Sequence, residues 1–161
     1  MLAVSNGMLV QAVARELLES EGLDMIKPAG WYSQQAWLNV YRRIQERLGA
    51  DTLHSIGRRI PYSAEFPVER MFDVPSALAS IDVAYKNAHR GGEIGHYLYL
   101  EKGPGLYEIH CDNPYSNDFD MGIVTSLVER FRGRDKFSVR MRNRPADPRK
   151  DNACIIEIAR V

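Results

Sequence analysis

The chain is poor in the features that most readily betray a function. It has only two cysteines, Cys111 and Cys154, in 161 residues. So few do not make a disulfide framework, and they read as reduced thiols of a cytosolic protein. Lysines and arginines balance aspartates and glutamates to a formal net charge of +0, so no global field recommends nucleic acid or an acidic membrane. No apolar run approaches the roughly 20 residues needed to span a bilayer. The first residues show no basic stretch leading into a long apolar one, and Glu16, Glu19 and Glu21 come early, so no signal peptide is expected. CxxC, HExxH and HxH spacings are all missing, which leaves no metal motif.

What is present is ordinary globular composition, 45% hydrophobic and 26% charged, in a chain long enough for one domain with a real core. A single domain over residues 1–161 is expected. Leu9, Val10, Val13, Leu17 and Leu18 share a face at helical spacing, predicting a helix over 8–21 that stops at Gly22. Ser33 is the expected N-cap of a second helix through Leu48, with Trp37, Tyr41, Ile44 and Leu48 on its stripe. Asp51 should cap a third helix that stops at Pro61. Residues 61–75 read as an irregular connection whose aromatics, Tyr62, Phe66 and Phe72, need burial. A fourth helix carries Leu78, Ile81, Tyr85 and Ala88. Strands are predicted over 93–101 and 106–111, joined by a turn at 102–105. A fifth helix over 119–131, with Asp118 or Asp120 at its start, precedes strands over 136–143 and 153–159. The loop 144–152 between them is polar and expected to be mobile. Helices first, then strand-strand-helix-strand-strand, give an α+β fold: N-terminal helices packed on a four-stranded antiparallel sheet.

The segment Ile109-His110-Cys111-Asp112-Asn113-Pro114-Tyr115 is the densest in chemistry. It runs from a strand through an Asn-Pro turn into a helix. Cys111 beside His110 invites a nucleophilic reading, but neighbours on a strand point to opposite faces. A base would have to come from His89 or His96. A packed cysteine and Asx-type turns explain the segment equally as architecture. His89, His96, His110 and Cys111, dispersed around two strands and a helix end, allow a metal site without any ligand spacing to mark it, and His54 reads as structural. Arg140, Arg142 and Arg144 alternate on one strand face, opposite Val139 and Met141; acids elsewhere would pair with such a stripe. The glycines of His89-Arg90-Gly91-Gly92 follow a helix instead of preceding one, the reverse of a phosphate loop. Trp31, Tyr32 and Trp37 read as aromatic core or as the wall of a pocket.

The order of elements, the run Cys111-Asp112-Asn113-Pro114-Tyr115 leading to Phe119-Asp120-x-Gly122, and the late Cys154 together resemble the 4-vinyl reductase (V4R) type of domain. That type belongs to a ligand-binding superfamily that includes heme nitric-oxide-binding domains and Bet3-like subunits of Golgi transport complexes. The resemblance runs from about Leu78 to Ala159, with Ile56-Gly57-Arg58 fitting loosely upstream. It implies a non-enzymatic sensor or adaptor that often dimerises and links its sheet to signalling partners. It also implies a pocket between helices and sheet for a small hydrophobic or aromatic molecule. Trp37, Tyr41, Tyr85, His89, Tyr97, Cys111 and Phe119 are the residues expected to line or approach that pocket.

Some relatives hold zinc with three cysteines and a glutamate. Here only Cys154 matches, Asn117 stands where the cysteine at the helix start would fall, and 140–147 holds no cysteine. The Tyr-x-Ser-x-Arg signature of the heme branch is also missing. No cofactor is therefore expected, with heme (on His89 or His110) and zinc left open. The competing readings are a small thiol-dependent enzyme or reductase using Cys111, a ligand-free dimerisation module built on Phe131 and the arginine strand, and a heme-binding gas sensor.

Overall fold

The computed structural model describes residues 8–23, 25–27, 30–143 and 153–161. The helical half opens with α1 (Met8–Ser20) and α2 (Gln34–Leu48). Ser33 caps α2, its hydroxyl accepting from the Ala36 amide, and Gly49 ends it at φ 85°, a backbone conformation that costs other residues strain. The third helix, α3, is shorter than its pattern suggested, Ala50–Gly57. Pro61 does not stop it; it sits in the first turn of a separate short helix, α4 (Ile60–Ser63), where a missing amide hydrogen is harmless.

The connection that follows contains a 3-10 turn at Val68–Arg70. Its aromatics are not all buried. Phe66 packs against the core, but Tyr62 and Phe72 are 69% and 82% exposed. The expected fourth helix is two, α5 (Val74–Ala79) and α6 (Ile81–Asn87), broken at Ser80. Asp73 and Ser76 form a reciprocal capping box at the start of α5, which fixes its entry.

The sheet comprises β1 (His96–Gly103), β2 (Leu106–Asp112), β3 (Phe137–Asn143) and β4 (Cys154–Arg160), all antiparallel in the order β1-β2-β4-β3. The first strand begins later than predicted, because Gly91, Gly92 and Gly95 at positive φ carry an irregular approach to it. The hairpin turn is also tighter, with Gly103 already paired to Leu106. The helix α7 (Asn117–Phe131) crosses between β2 and β3 in sequence; Ser116, not an aspartate, is its N-cap. The predicted 144–152 loop and Arg144 lie outside the described residues.

The sheet sorts its residues by row. Cross-strand rows on the inner face are Tyr97–Cys111–Cys154, Tyr99–Ile109–Ile156–Met141 and Tyr107–Ile158–Val139. The outer face carries Leu98, His110, Ile155 and Arg142, then Leu100, Glu108, Glu157 and Arg140. Arg142 pairs there with Glu108 and Glu157, and His110 Nε2 lies 2.8 Å from Glu108. Of the arginine stripe, Arg142 is thus tied to acids.

Behind the inner face, α3 and α7 cross at two glycines. A Cβ on Gly57 would stand 2.0 Å from the Phe119 carbonyl oxygen, and one on Gly122 would stand 2.1 Å from that of His54. Only glycine permits this approach, and it brings Ile56 and Phe119 to the same interior space. Among the described residues, no helix is long and apolar enough to cross a membrane.

Candidate functional site

A cavity of about 1030 Å³ opens between α2, the loop before it, α6 and the start of α7. That is the scale of a small-molecule or cofactor site. Trp37, Tyr41, Tyr85, His89, Tyr97 and Phe119 all stand on its wall. Helical spacing explains why α2 contributes two rings: Trp37 and Tyr41 are four residues apart, with centroids 6.0 Å from one another. The same spacing brings Tyr85 of α6 and His89, just past its end, to a tilted contact at 4.1 Å. Tyr115 and Phe119 stack at 5.2 Å across the start of α7, and Tyr41 meets both.

Cys111 is the exception among the predicted residues. It is fully buried and is not on the cavity wall. Its row in the sheet turns the thiol toward Asp120 of α7, with Tyr97 as its row neighbour on β1. The hydrogen bond with Cys154, then burial and the neighbouring Asp120, push that thiol well above its ordinary pKa, the opposite of what a nucleophile needs. His110 lies across the sheet on the outer face, and His96 is exposed. The four-residue metal grouping of His89, His96, His110 and Cys111 therefore does not assemble.

The polar chemistry of the cavity centres on His89. Its Nδ1 lies 2.7 Å from the Tyr85 carbonyl and its Nε2 lies 2.8 Å from the Tyr115 hydroxyl. A carbonyl only accepts, so Nδ1 carries the proton and Nε2 offers a lone pair to the tyrosine hydroxyl. Burial lowers the His89 pKa, which favours this neutral ring. The Tyr85 hydroxyl donates to the Ile94 carbonyl, locking the α6 end onto the approach to β1. Desolvation pushes the Tyr115 hydroxyl up to about 12, so it stays a donor.

Two cavity residues carry no local sequence signal. Tyr115 looked like part of a turn, yet Asn113 Oδ1 accepts from its amide at 2.8 Å and fixes the ring inward. Gln34, in the first turn of α2, places a buried Nε2 on the cavity wall without a close hydrogen bond, its amide facing the Tyr85 and Tyr115 hydroxyls. At the mouth, the Arg90 guanidinium stacks 4.0 Å over the Trp31 ring, and Lys27 is the other cation on the lining.

The arrangement is suited to holding a flat, mostly apolar molecule between aromatic rings. It offers one neutral imidazole, one phenolic donor and one buried amide to orient such a molecule. Its side chains supply no thiol or ionised carboxylate at hydrogen-bonding distance of His89 among the described residues.

No family model and no curated protein matches the sequence. Among solved structures, the fold is similar to H-NOX proteins. An H-NOX protein from S. oneidensis in the Fe(II)NO ligation state superposes with a TM-score of 0.65 at 14% identity, over 94% of this chain and 90% of that one. The Fe(II) unliganded H-NOX protein from K. algicida gives 0.66 at 12% identity, over 96% and 89%. An oxygen-binding H-NOX domain related to soluble guanylate cyclases gives 0.65 at 16% identity, over 94% and 86%. At these identities the likeness establishes the fold: this chain has the α+β architecture of the H-NOX domains along nearly its whole length.

Proposed function

We propose that the protein is a ligand-binding sensor domain of the V4R type, whose cavity takes a flat, largely apolar ring system. The observation that carries this reading is the cavity itself. Aromatic side chains from α2, α6, β1 and α7 wall it, and the buried Gln34 Nε2 makes no close hydrogen bond. A ligand oxygen or ring nitrogen placed there would satisfy that amide, and His89 or Tyr115 would supply a second oriented contact. The H-NOX architecture supports the reading at the level of fold.

A heme-binding gas sensor is the second reading, favoured by one specific feature. A metal-ligating histidine characteristically donates its other ring N–H to a carbonyl or carboxylate, and His89 does so toward Tyr85. His89 Nε2 would hold the heme iron once the Tyr115 hydroxyl leaves it. Arg90 and Lys27 are the cavity cations that would face the propionates. When bound, heme would supply an iron centre for diatomic gases. The chain's own share is the neutral imidazole, the aromatic walls that exclude water, and the Gln34 amide.

Fluorescence titration with 1-anilinonaphthalene tests the first reading. Saturable one-site binding to the wild type, lost in Ala84→Phe, is expected, because Ala84 is a buried wall residue. Equal binding to both proteins would reject the cavity as the site. A parallel hemin titration distinguishes the second reading: a defined Soret band that shifts in His89→Ala supports it, and an unchanged band removes His89 from iron.

A further inference from the structure

Asp120 projects from the first turn of α7 into the core and is completely inaccessible to solvent. Its carboxylate accepts from the Tyr97 hydroxyl at 2.5 Å and from Asn113 Nδ2 at 3.0 Å. Among the described residues no lysine, arginine or histidine pairs with it. Directly beneath it lie Cys111 and Cys154, register partners on β2 and β4 and both fully buried. The two sulfurs and a carboxylate oxygen lie within 4.8 Å of one another. Three groups able to become anions thus converge in an apolar interior without a counter-charge. A buried charge requires a partner or a metal.

We propose that Cys111, Cys154 and Asp120 form a metal site for a zinc-class divalent cation, closed from solvent between the sheet and α7. Bond lengths of about 2.0–2.3 Å place tetrahedral donor atoms about 3.4–3.8 Å apart, so the cluster needs only a modest contraction to bind. Two thiolates select a borderline-soft cation over calcium or magnesium. The Tyr97 and Asn113 hydrogen bonds already hold the carboxylate, as outer partners hold metal ligands. Binding breaks both S–H bonds, forms two metal–sulfur bonds and releases two protons to solvent.

This set differs from the three-cysteine and glutamate arrangement that the V4R resemblance implies, since it draws one ligand each from β2, α7 and β4. It is independent of the cavity's ligand. Because Tyr97 belongs to both the cavity wall and the cluster, metal occupancy would set the position of a wall residue.

The test uses the full chain, purified without chelator and also refolded from urea with Zn²⁺ or Co²⁺ alone. The expected result is one metal per chain by elemental analysis and native mass spectrometry. The cobalt form should show intense near-ultraviolet thiolate-to-cobalt absorption, and Cys154→Ser should lose it. The wild-type metal content and spectrum decide the matter even if that variant does not fold. The proposal is overturned by a metal-free protein from both preparations, by a cobalt spectrum without thiolate bands, or by an intact mass two hydrogens lower, which marks a Cys111–Cys154 disulfide.

Discussion

Gly122→Ala is the sharpest structural perturbation available, because its consequence reaches both the fold and the cavity. A methyl at this position would stand 2.1 Å from the His54 carbonyl oxygen and 2.9 Å from the Arg58 amide nitrogen. Both are backbone atoms of the facing segment, so neither can rotate away. The helices must part by about an ångström to restore ordinary contact, and such overpacking costs about 1–3 kcal/mol. The contact is severe enough for the upper end of that range. Alanine returns about 1 kcal/mol through its better helix propensity, leaving a net loss of about 2 kcal/mol. For a domain of this size that is about 4–8 °C in Tm. Urea denaturation should show a lower midpoint with an unchanged slope. Parting α3 and α7 also displaces Phe119 and Ile123, both on the cavity wall, so probe binding should weaken in the folded variant. Gly103→Ala is the control, since a Cβ there meets nothing within 4 Å. A Gly122→Ala protein as stable as the wild type would refute the close helix crossing.

Further expectations are equally specific. Tyr97→Phe removes the hydroxyl that Asp120 accepts from and should destabilise the protein by about 1–3 kcal/mol in urea denaturation; a neutral effect would mean that the bond is not made. His110 and Arg142 hold the Glu108 carboxyl below its ordinary 4.5. The unfolded chain therefore takes up this proton first as pH falls. Its stabilisation is full above about 4.5 and is lost as pH drops through the lower folded value. Denaturant midpoints measured into the acid range should show a shallower decline in Glu108→Gln. In the metal-free protein, Cys111 and Cys154 should react with a thiol reagent only after denaturation, because both are buried and Cys111 is pushed up; prompt labelling of Cys111 in the native protein would revive the thiol-enzyme reading.

Local patterns made much of this visible beforehand. Helical spacing gave α1, α2 and α7, and Ser33 announced the start of α2. Six aromatic or imidazole residues named from the sequence surround one cavity because their spacings, Trp37 to Tyr41 and Tyr85 to His89, are one helical turn. What failed was long-range. Cys111 was assigned to the cavity because its strand leads there, but the pairing of β2 with β4 sets it opposite Cys154. Nothing local to residue 111 encodes that register. Asp120 looked like a first-turn acid serving the helix dipole, and it is indeed in that turn. Its burial follows from the packing of α7 over the sheet, where Tyr97, Asn113 and Cys111 meet it. Gln34 and Tyr115 resemble a surface helix start and a turn; only the enclosure of one cavity by α2, α6 and the start of α7 makes them cavity groups.

The account rests on the cavity binding through its own polar groups, and nitrogen-15 NMR of a labelled sample reads these directly. In the free protein the His89 signals should show a protonated Nδ1 and an unprotonated Nε2. On adding 1-anilinonaphthalene, the Gln34 side-chain amide and His89 Nε2 should shift together and saturate together. If both stay fixed while shifts saturate on the outer sheet face, the ligand binds elsewhere and the central claim fails.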